Sequence, residues 1–559
     1  MVQPYDPDVS PELVIPSVPL HEILIQTAKR FPQNQALVFY GKSITYTELD
    51  DLSNRFCNVL KGFGVKRGDR VTIMLPNIPH CVIAYYAILK LGAVVVQTNP
   101  LYVERELEYQ LNDSESEIII AMDLFYPRIK AVNKSNRLKK IIICRVTDFL
   151  PPLLKMLYPI KAFKEGQRVK VDKKPFIHDF MPLLKNASPL VSHQVVDPQD
   201  IALLQYTGGT TGIAKGVMLS HANLVTNTLQ CRSWMPDLKD GKETFLSVIP
   251  FFHVFGMTAC MNLAISLGGK MILIPKFKTE EVIRSIEKFK ATVFFGVQAM
   301  YVAINHFEEI AKRDISSIKV CISGGGPLHG EVQERFESLT GGKLVEGFGL
   351  TEASPVTHCN PINGTRKKGS IGLPLPLTDA KIVDLETGKR ELSVGEAGEL
   401  IVRGPQVMKG YWNHPEETRL AIREGWLYTG DMARMDEEGF FFIVDRKKDM
   451  IKTVGENVYP REVEEILFQF PKVKDAVVVG LPDSFSVEVI KAYIVLDEGE
   501  TSTEDEVINY CRKHLAKFKV PKRVEFRKEL PKTIVGKVLR RVLLDEELKK
   551  SKLNQGNKI

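Results

Sequence analysis

The stretch 206–216, YTGGTTGIAKG, gathers four glycines, three threonines and one lysine into eleven residues. It follows an apolar run, Ile201-Ala-Leu-Leu204, that reads as a buried strand. Glycines let a backbone turn tightly and bring its N–H groups close to a ligand. Threonine hydroxyls and Lys215 add donors and one positive charge, which suits a triphosphate. The segment is not a Walker A loop, because Lys215 is followed by Gly216 rather than Ser or Thr. Taken alone, such a loop is equally a flexible turn.

Four further segments carry chemistry of the same kind. Gly347-Phe-Gly-Leu-Thr351-Glu352 joins a mobile backbone, an aromatic able to stack on a base, a hydroxyl and a carboxylate. That carboxylate suits a hard cation such as Mg²⁺ bound to phosphate oxygens. Tyr428-Thr-Gly-Asp431 ends an apolar stretch with an aspartate able to accept both ribose hydroxyls. Asp445-Arg-Lys-Lys-Asp449 continues to Lys452 and Gly455-Glu-Asn-Val-Tyr-Pro460, and Pro531-Lys-Thr-Ile-Val-Gly536-Lys537 places a lysine on a loop. Separately these read as a β-turn, a turn pair, a solvated linker and a surface lysine.

The elements that must position these groups follow from periodicity. Short apolar runs at 36–40, 70–75, 93–97, 117–122 and 140–144 read as strands. The segment 47–63 has apolar residues at helical spacing, with Thr47 and Asp50 as its expected N-cap. Alternation continues through 270–274, 280–290, 291–295, 297–313 and 319–323, which predicts an α/β fold with a mostly parallel sheet flanked by helices. Segments 395–403 and 439–444 read as a β-rich end to this body. After Asp445 come a helix starting at Pro460, strands at 475–480 and 488–496, a helix opened by Thr503 with Glu506, and a strand at 520–526. The expected domains are therefore 1–445 and a small α+β unit, 446–559.

At 559 residues the chain is too long for one core. Eight scattered cysteines show no metal-ligand spacing and read as buried, reduced thiols, consistent with a cytoplasmic chain. Residues 1–19 do not read as a signal peptide, and no apolar run approaches the roughly 20 residues that span a bilayer. The net charge is +7, and residues 446–559 hold 24 Lys+Arg against 19 Asp+Glu. A basic C-terminal part favours an anionic nucleotide-like substrate; nucleic acid is not expected, for lack of a basic-aromatic stripe. Residues 149–174 set an apolar patch beside Lys161, Lys164, Arg168, Lys170, Lys173 and Lys174. The plain reading is an excursion packed on its own domain. The alternative is peripheral contact with the anionic inner face of a membrane.

In their order and spacing, YTGGTTGIAKG, GFGLTE, YTGD, DRKKDMIKTVGENVYPREVE and PKTIVGKVLRR resemble the adenylate-forming enzymes, and within them the bacterial long-chain fatty acid–CoA ligases. The resemblance runs from about Pro19 to Leu548. It implies a large N-terminal adenylation domain of α/β subdomains plus a β-rich subdomain, and a small mobile α+β domain. It implies that a fatty acid and MgATP form an acyl-adenylate and pyrophosphate, after which CoA displaces AMP. Thr207, Gly208, Gly209, Thr210, Thr211, Gly212 and Lys215 would hold the β- and γ-phosphates, with Thr207 and Glu352 around Mg²⁺. Gly325, Gly326, Glu346, Gly347 and Phe348 would form the adenine wall, and Thr351 would contact the α-phosphate. Asp431 and Arg446 would hold the ribose, and Lys452 would belong to the same nucleotide site. Lys537 would bridge the carboxylate and α-phosphate, stabilising charge in the transition state. Lys448 matches a hinge, and rotation there would exchange Lys537 for the face bearing Gly455, Glu456 and Asn457 in the CoA step. His253 matches a histidine beside the acyl and CoA sites, and Val297, Tyr301, Gly324 and Met257 would line the acyl pocket.

Three positions depart from the family pattern. Ala214 and Gln298 stand where proline is common, and Met257 lies where some members place a tryptophan gate. An aromatic-acid (coumarate-like) CoA ligase and an adenylation enzyme loading a carrier protein stay open as alternatives, as does a homodimer. A binding module without chemistry is disfavoured, since Glu352, Asp431, Arg446 and Lys537 are all present.

Overall fold

The computed structural model describes residues 5–133, 137–164, 166, 168–190, 195–208, 214–447, 449–453, 456–483, 487–533 and 538–556. Its contacts divide the chain into two units: 1–379 with 402–427, and 380–401 with 428–559.

The first unit is built on two sheets. One runs in the spatial order Leu373–Pro374, Val356–Cys359, Lys343–Gly349, Val320–Ser323, Val293–Gly296, Thr244–Ser247, Lys270–Leu273, Gln35–Phe39, Lys42–Thr45. Its middle pairs are parallel and its ends antiparallel. The other runs Gly410–Tyr411, Ala214–Ser220, Ile201–Gly208, Val94–Gln97, Arg70–Met74, Ile118–Met122, Lys140–Cys144, Ile177–Asp179. Helix Pro79–Lys90 is apolar on every side, and all twelve of its residues are buried, as expected of a helix enclosed within a large core. The α/β alternation expected from the apolar runs is present, with strand ends shifted by at most three residues.

Two local expectations are corrected. The early helix spans Tyr46–Gly62 and is capped by Thr45, not Thr47. Thr45 accepts from the Glu48 N–H while Glu48 Oε2 accepts from the Thr45 N–H at 2.7 Å, a reciprocal capping box. Thr47 instead donates to the Pro32 carbonyl. The expected helix 297–313 is a helix at Gln298–Asn305, which ends at His306, followed by a short 3₁₀ turn at Ile310–Lys312, although Phe307 and Ile310 continue the apolar spacing.

In the second unit, strands Trp426–Met435 and Phe441–Arg446 pair antiparallel with Asp431 opposite Arg446. Beyond them, Val473–Asp483 and Val487–Leu496 form a long antiparallel pair, with Arg523–Phe526 parallel to the latter. Alternate residues of Val473–Asp483 point to opposite faces. Ala476 and Val478 pack under helices Pro460–Phe468 and Glu504–His514, while Val477 and Val479 pack with Leu530 and Leu543. Thr503 caps its helix with Glu506 in a capping box, as expected. All eight cysteines are buried and unbridged.

Candidate active site

The two arms of the Gly/Thr-rich motif are strands. Ile201–Gly208 and Ala214–Ser220 are antiparallel, with Thr207 opposite Lys215. Gly209, Thr210, Thr211 and Gly212 lie outside the described residues. The loop end of the hairpin is clamped at Asp113. Tyr206 donates its hydroxyl to Asp113 Oδ2 at 2.6 Å, and Trp412 donates its indole N–H to the Asp113 carbonyl at 3.0 Å. Burial and the Asp113 carboxylate both push the Tyr206 phenol up, so it stays a neutral donor. A Cβ on Gly216 would sit 3.2 Å from the Tyr206 ring and 3.3 Å from Trp412 Cβ, so the tyrosine and tryptophan close on the hairpin through a residue with no side chain.

Strand Gly410–Tyr411 adds to this hairpin, with Tyr411 opposite Val217. Tyr411 was not singled out from sequence, yet it joins two residues that were. Its hydroxyl donates to Glu352 Oε1 at 2.8 Å, and the Lys215 ammonium lies 5.2 Å from its ring centroid. That is within range of a cation–π contact. Burial, then the Glu352 charge, raises the Tyr411 phenol well above its ordinary value. Glu352 sits in a 3₁₀ turn, Thr351–Ala353, and its carbonyl accepts from the Met408 N–H at 2.8 Å. Thr351 begins that turn and is half-buried. The turn is forced by Gly349, where a Cβ would fall 2.1 Å from the Pro355 carbonyl oxygen.

One carboxylate and one hydroxyl are too few donors for a resident metal. Among the described residues no cluster of three or more His, Cys, Asp or Glu could hold one. The pair fits Mg²⁺ that arrives with a nucleotide, since this ion keeps several waters and takes one or two protein ligands.

Glu346 is buried and uses Oε2 to accept from the Leu328 N–H at 2.9 Å. Gln298 Oε1 accepts from the neighbouring His329 N–H at 2.6 Å. The loop carrying Gly324, Gly325 and Gly326 is therefore pinned at its far end by two side chains. Proline, usual at position 298, could not make the second bond. Gly325 has φ +79°, a region glycine adopts freely, and Gly347 would bring a Cβ within 2.9 Å of Ile322. Phe348 meets His358 edge-on with centroids 6.1 Å apart, and burial pushes His358 down to about 3.

Of the residues expected at an acyl pocket, Val297 and the loop of Gly324 and Gly325 lie together. A Cβ on Gly324 would lie 3.2 Å from the Phe255 ring, and one on Gly325 would lie 3.8 Å from Val297. Tyr301 is fully buried: its hydroxyl donates to the carbonyls of Phe294 and Ile322, and its ring packs against Phe294 and Phe336 with centroids 5.2 and 5.0 Å apart. Met257 is fully buried within a π-helix, Phe255–Asn262, a form that concentrates at functional sites. His253 opens this region; its Nδ1 accepts from the Phe255 N–H at 3.2 Å, leaving Nε2 as the protonated nitrogen when neutral. Two buried amides hold the His253 segment. Asn77 donates to the carbonyls of Ser247 and Ile249 and accepts from the Phe251 N–H, and Gln205 donates to the Phe252 carbonyl. Neither was singled out from sequence; a polar residue inside an apolar run was the available signal. Gly256 fits where a Cβ would fall 2.4 Å from the Pro250 carbonyl oxygen.

In the second unit Asp431 Oδ1 lies 3.3 Å from Arg446 Nε, with the carboxylate almost fully buried and the guanidinium more open. The Asp431 N–H donates to Thr429 Oγ1, whose hydroxyl donates to the Leu400 carbonyl. Glu399 accepts from the Gly430 N–H and from Lys447 Nζ at 2.8 Å. Asp445 accepts from the Arg461 N–H at 2.8 Å, and burial raises its carboxyl. Lys452 is exposed on strand Ile451–Thr453, opposite Asn457. Glu456 and Asn457 lie on the paired strand Glu456–Val458. Lys448, Gly455 and Lys537 lie outside the described residues. Their neighbours are joined, because Arg540 bonds Asp449 at 3.2 Å and both oxygens of Glu464 at 2.6 and 2.7 Å.

Comparison with known proteins places this arrangement. Residues 24–412 match the family described as AMP-binding enzyme, and residues 462–537 match the AMP-binding enzyme C-terminal domain. The chain is similar to the long-chain-fatty-acid–CoA ligase of Bacillus subtilis (strain 168), 50% identical over 545 residues covering 97% of each chain. It is 41% identical over 538 residues, 94% of each chain, to the ligase of the same description from Salmonella typhimurium. Among solved structures it resembles ATP-bound MatB from Rhodopseudomonas palustris, with TM-score 0.84, 29% identity, and coverage of 95% and 99% of the two chains.

Proposed function

The chain belongs to the AMP-binding enzymes, and from that premise we propose that it is a long-chain fatty acid–CoA ligase. It would activate a medium- to long-chain carboxylate with MgATP to an acyl-adenylate and pyrophosphate, then exchange AMP for CoA. The single observation that carries the substrate class is the 50% identity, over nearly the full chain, to a ligase described by that activity.

The chemistry needs a poor electrophile made reactive. A carboxylate oxygen attacks the α-phosphorus of ATP, and pyrophosphate leaves; a thiol then attacks the carbonyl carbon and AMP leaves. The protein's part is to position groups and neutralise charge. Thr207, the 208–212 backbone and Lys215 would hold the β- and γ-phosphates. Thr207 and Glu352 would meet the Mg²⁺ of the nucleotide, with Tyr411 orienting the carboxylate of Glu352. Gly325, Gly326 and 346–348 would bound the adenine, and Thr351 would meet the α-phosphate. Asp431, held by Arg446, would accept the ribose hydroxyls, with Lys452 nearby in the same site. Lys537 would supply the cation for adenylation, and a swing about Lys448 would replace it with 455–457 for thioester formation. The mobile portion would be 446–559, turning on the strands that precede it. His253, Met257, Val297, Gly324 and the ring of Tyr301 would bound the acyl chain. The apolar lining supports a fatty acid over a polar one. Peripheral contact of 149–174 with the inner face of a membrane would serve this activity, since a long-chain acid partitions into lipid, but it does not depend on it.

The experiment is carboxylate-dependent pyrophosphate release, with and without CoA, across short to long fatty acids and cinnamates. Release rising with chain length and turnover saturable in free CoA support the reading. A preference for cinnamates would move it to an aromatic-acid ligase, and indifference to free CoA would move it to carrier-protein loading.

A further inference from the structure

Helix Pro152–Lys164 leaves its apolar side chains in solvent. Leu153, Met156, Leu157, Ile160 and Phe163 recur at the spacing of one helix face. Such a stripe in a globular protein faces the core. Here those side chains are 63%, 68%, 46%, 58% and 69% exposed. The chain enters the helix from Phe149 and Leu150, both buried, so the helix is anchored at its start while its apolar stripe stays exposed. Contiguous exposed apolar surface of this kind marks an interaction site.

The charges beside it select the partner. Residues 152–174 hold seven Lys or Arg against two acidic residues, and one of those, Asp172, is paired with Lys130 at 2.8 Å. In the segment that follows, Val169 and Val171 pack on the core formed around Ile119, Ile129 and Ile141. Arg168 and Lys170, between and beside them, are exposed, as are Lys173 and Lys174. The cations are thus held on the surface by buried neighbours rather than trailing from a loose loop. Arg168 lies 5.3 Å from the centroid of the Phe163 ring, which joins the basic segment to the apolar stripe.

We propose that helix Pro152–Lys164 lies in the surface of an anionic bilayer, its stripe among the acyl chains and the 164–174 cations against headgroup phosphates. A second copy of this chain would bring an equally basic surface against this one, so like charges oppose self-association here. Apolar burial and headgroup attraction act together in this mode, and neither suffices alone for stable attachment. No helix among the described residues is long and apolar enough to cross a membrane, so the contact is peripheral. The use of such a surface, collecting a fatty acid where it dissolves, rests on the ligase reading; the surface itself does not.

The test is co-sedimentation of the full chain with phosphatidylcholine vesicles, with and without added phosphatidylglycerol. Partition should be roughly 10-fold stronger onto the anionic vesicles. Met156→Glu with Ile160→Glu changes only exposed positions and should cost roughly 10-fold or more in partition. Lys170→Glu with Lys173→Glu should remove most of the dependence on anionic lipid and on salt. Pyrophosphate release with a soluble medium-chain acid, measured without vesicles, should be unchanged in both variants. Equal partition of wild type and the Met156/Ile160 variant overturns the proposal, as does wild type that stays in the supernatant. A dimer that this variant dissociates would assign the stripe to a second copy instead. Vesicle binding as expected, without fatty-acid-dependent pyrophosphate release, would leave the surface standing and remove the ligase reading.

Discussion

The Tyr411 hydroxyl donates to Glu352 Oε1 at 2.8 Å, linking strand Gly410–Tyr411 to the turn that opens at Thr351. The same ring lies under the Lys215 ammonium, so one side chain contacts both an anion and a cation expected at the phosphates. Tyr411→Phe keeps the ring and removes the bond. A hydrogen bond to a charged group contributes about 1.5–3 kcal/mol, so kcat/KM for MgATP in pyrophosphate exchange should fall at least roughly 10-fold. Tyr411→Leu, which also removes the ring from under Lys215, should fall further. Equal rates for wild type and the Phe variant would show the contact to be structural only.

Asp431 is nearly buried and faces Arg446 across a strand pair. Asp431→Asn keeps its shape but weakens both the ion pair and acceptance of ribose hydroxyls. KM for ATP should rise roughly 10-fold or more while KM for the acid stays within a factor of two. A change in the acid KM alone would move Asp431 out of the ribose role.

Lys537→Ala should remove adenylation and spare thioester formation from supplied acyl-adenylate, because a cation at the α-phosphate acts in the first step only. Single-turnover assays of the two half-reactions read this directly. Equal loss of both refutes the assignment.

Gln298 holds the His329 N–H at 2.6 Å and with Glu346 steadies the loop bearing Gly324–Gly326. Gln298→Ala should loosen one wall of the expected acyl pocket. The ratio of kcat/KM between long and medium acids should shift by several-fold, with the ATP KM unchanged. An unaltered chain-length profile would confine Gln298 to folding.

His221 and His358 are buried and neutral, pushed by burial to about 4 and about 3. Their unfolded values lie near 6.5. Between these limits the unfolded chain binds protons that the native chain does not, so stability falls as pH drops from about 6.5 toward 4. Going from pH 7 to pH 5 should cost roughly 2 kcal/mol per histidine, seen as a lower urea midpoint. His221 Nδ1 accepts from the Leu20 N–H, a bond that glutamine can replace, so His221→Gln should lessen the pH dependence. A pH dependence identical to wild type would show that His221 does not carry it. Glu525 acts in a separate, more acidic window. Burial opposes its charge, but Lys491 and Arg527 outweigh that and bring it to about 2, so its contribution is lost from about pH 4.5 downward.

The α/β alternation was readable because strands buried on both faces are continuous apolar runs, and Thr503 with Glu506 was readable because a capping box is local. The cap of the first long helix was misplaced by two residues, since Thr45 and Thr47 are chemically alike and only the bond to Pro32 tells them apart. The partners of Tyr411, Asn77, Gln205 and Gln298 were not legible for a common reason. Each acts through a backbone or carboxylate group far away in sequence, and no local pattern announces such a partner.

By itself the sequence determined which groups are on offer for chemistry and their order: a Gly/Thr-rich loop, Thr351 with Glu352, Asp431, Arg446 and Lys537. Residue type decides what charge or proton a side chain can offer, and type is written in the chain. Tertiary structure decided which of these groups support one another. It placed Tyr411 between Lys215 and Glu352, and it tied the glycine loop to Gln298 and Glu346. It also left the stripe of Pro152–Lys164 exposed, which helical periodicity alone would have assigned to the core. Hydrogen bonds, ring contacts and exposure depend on which surfaces meet, and only the folded chain settles that.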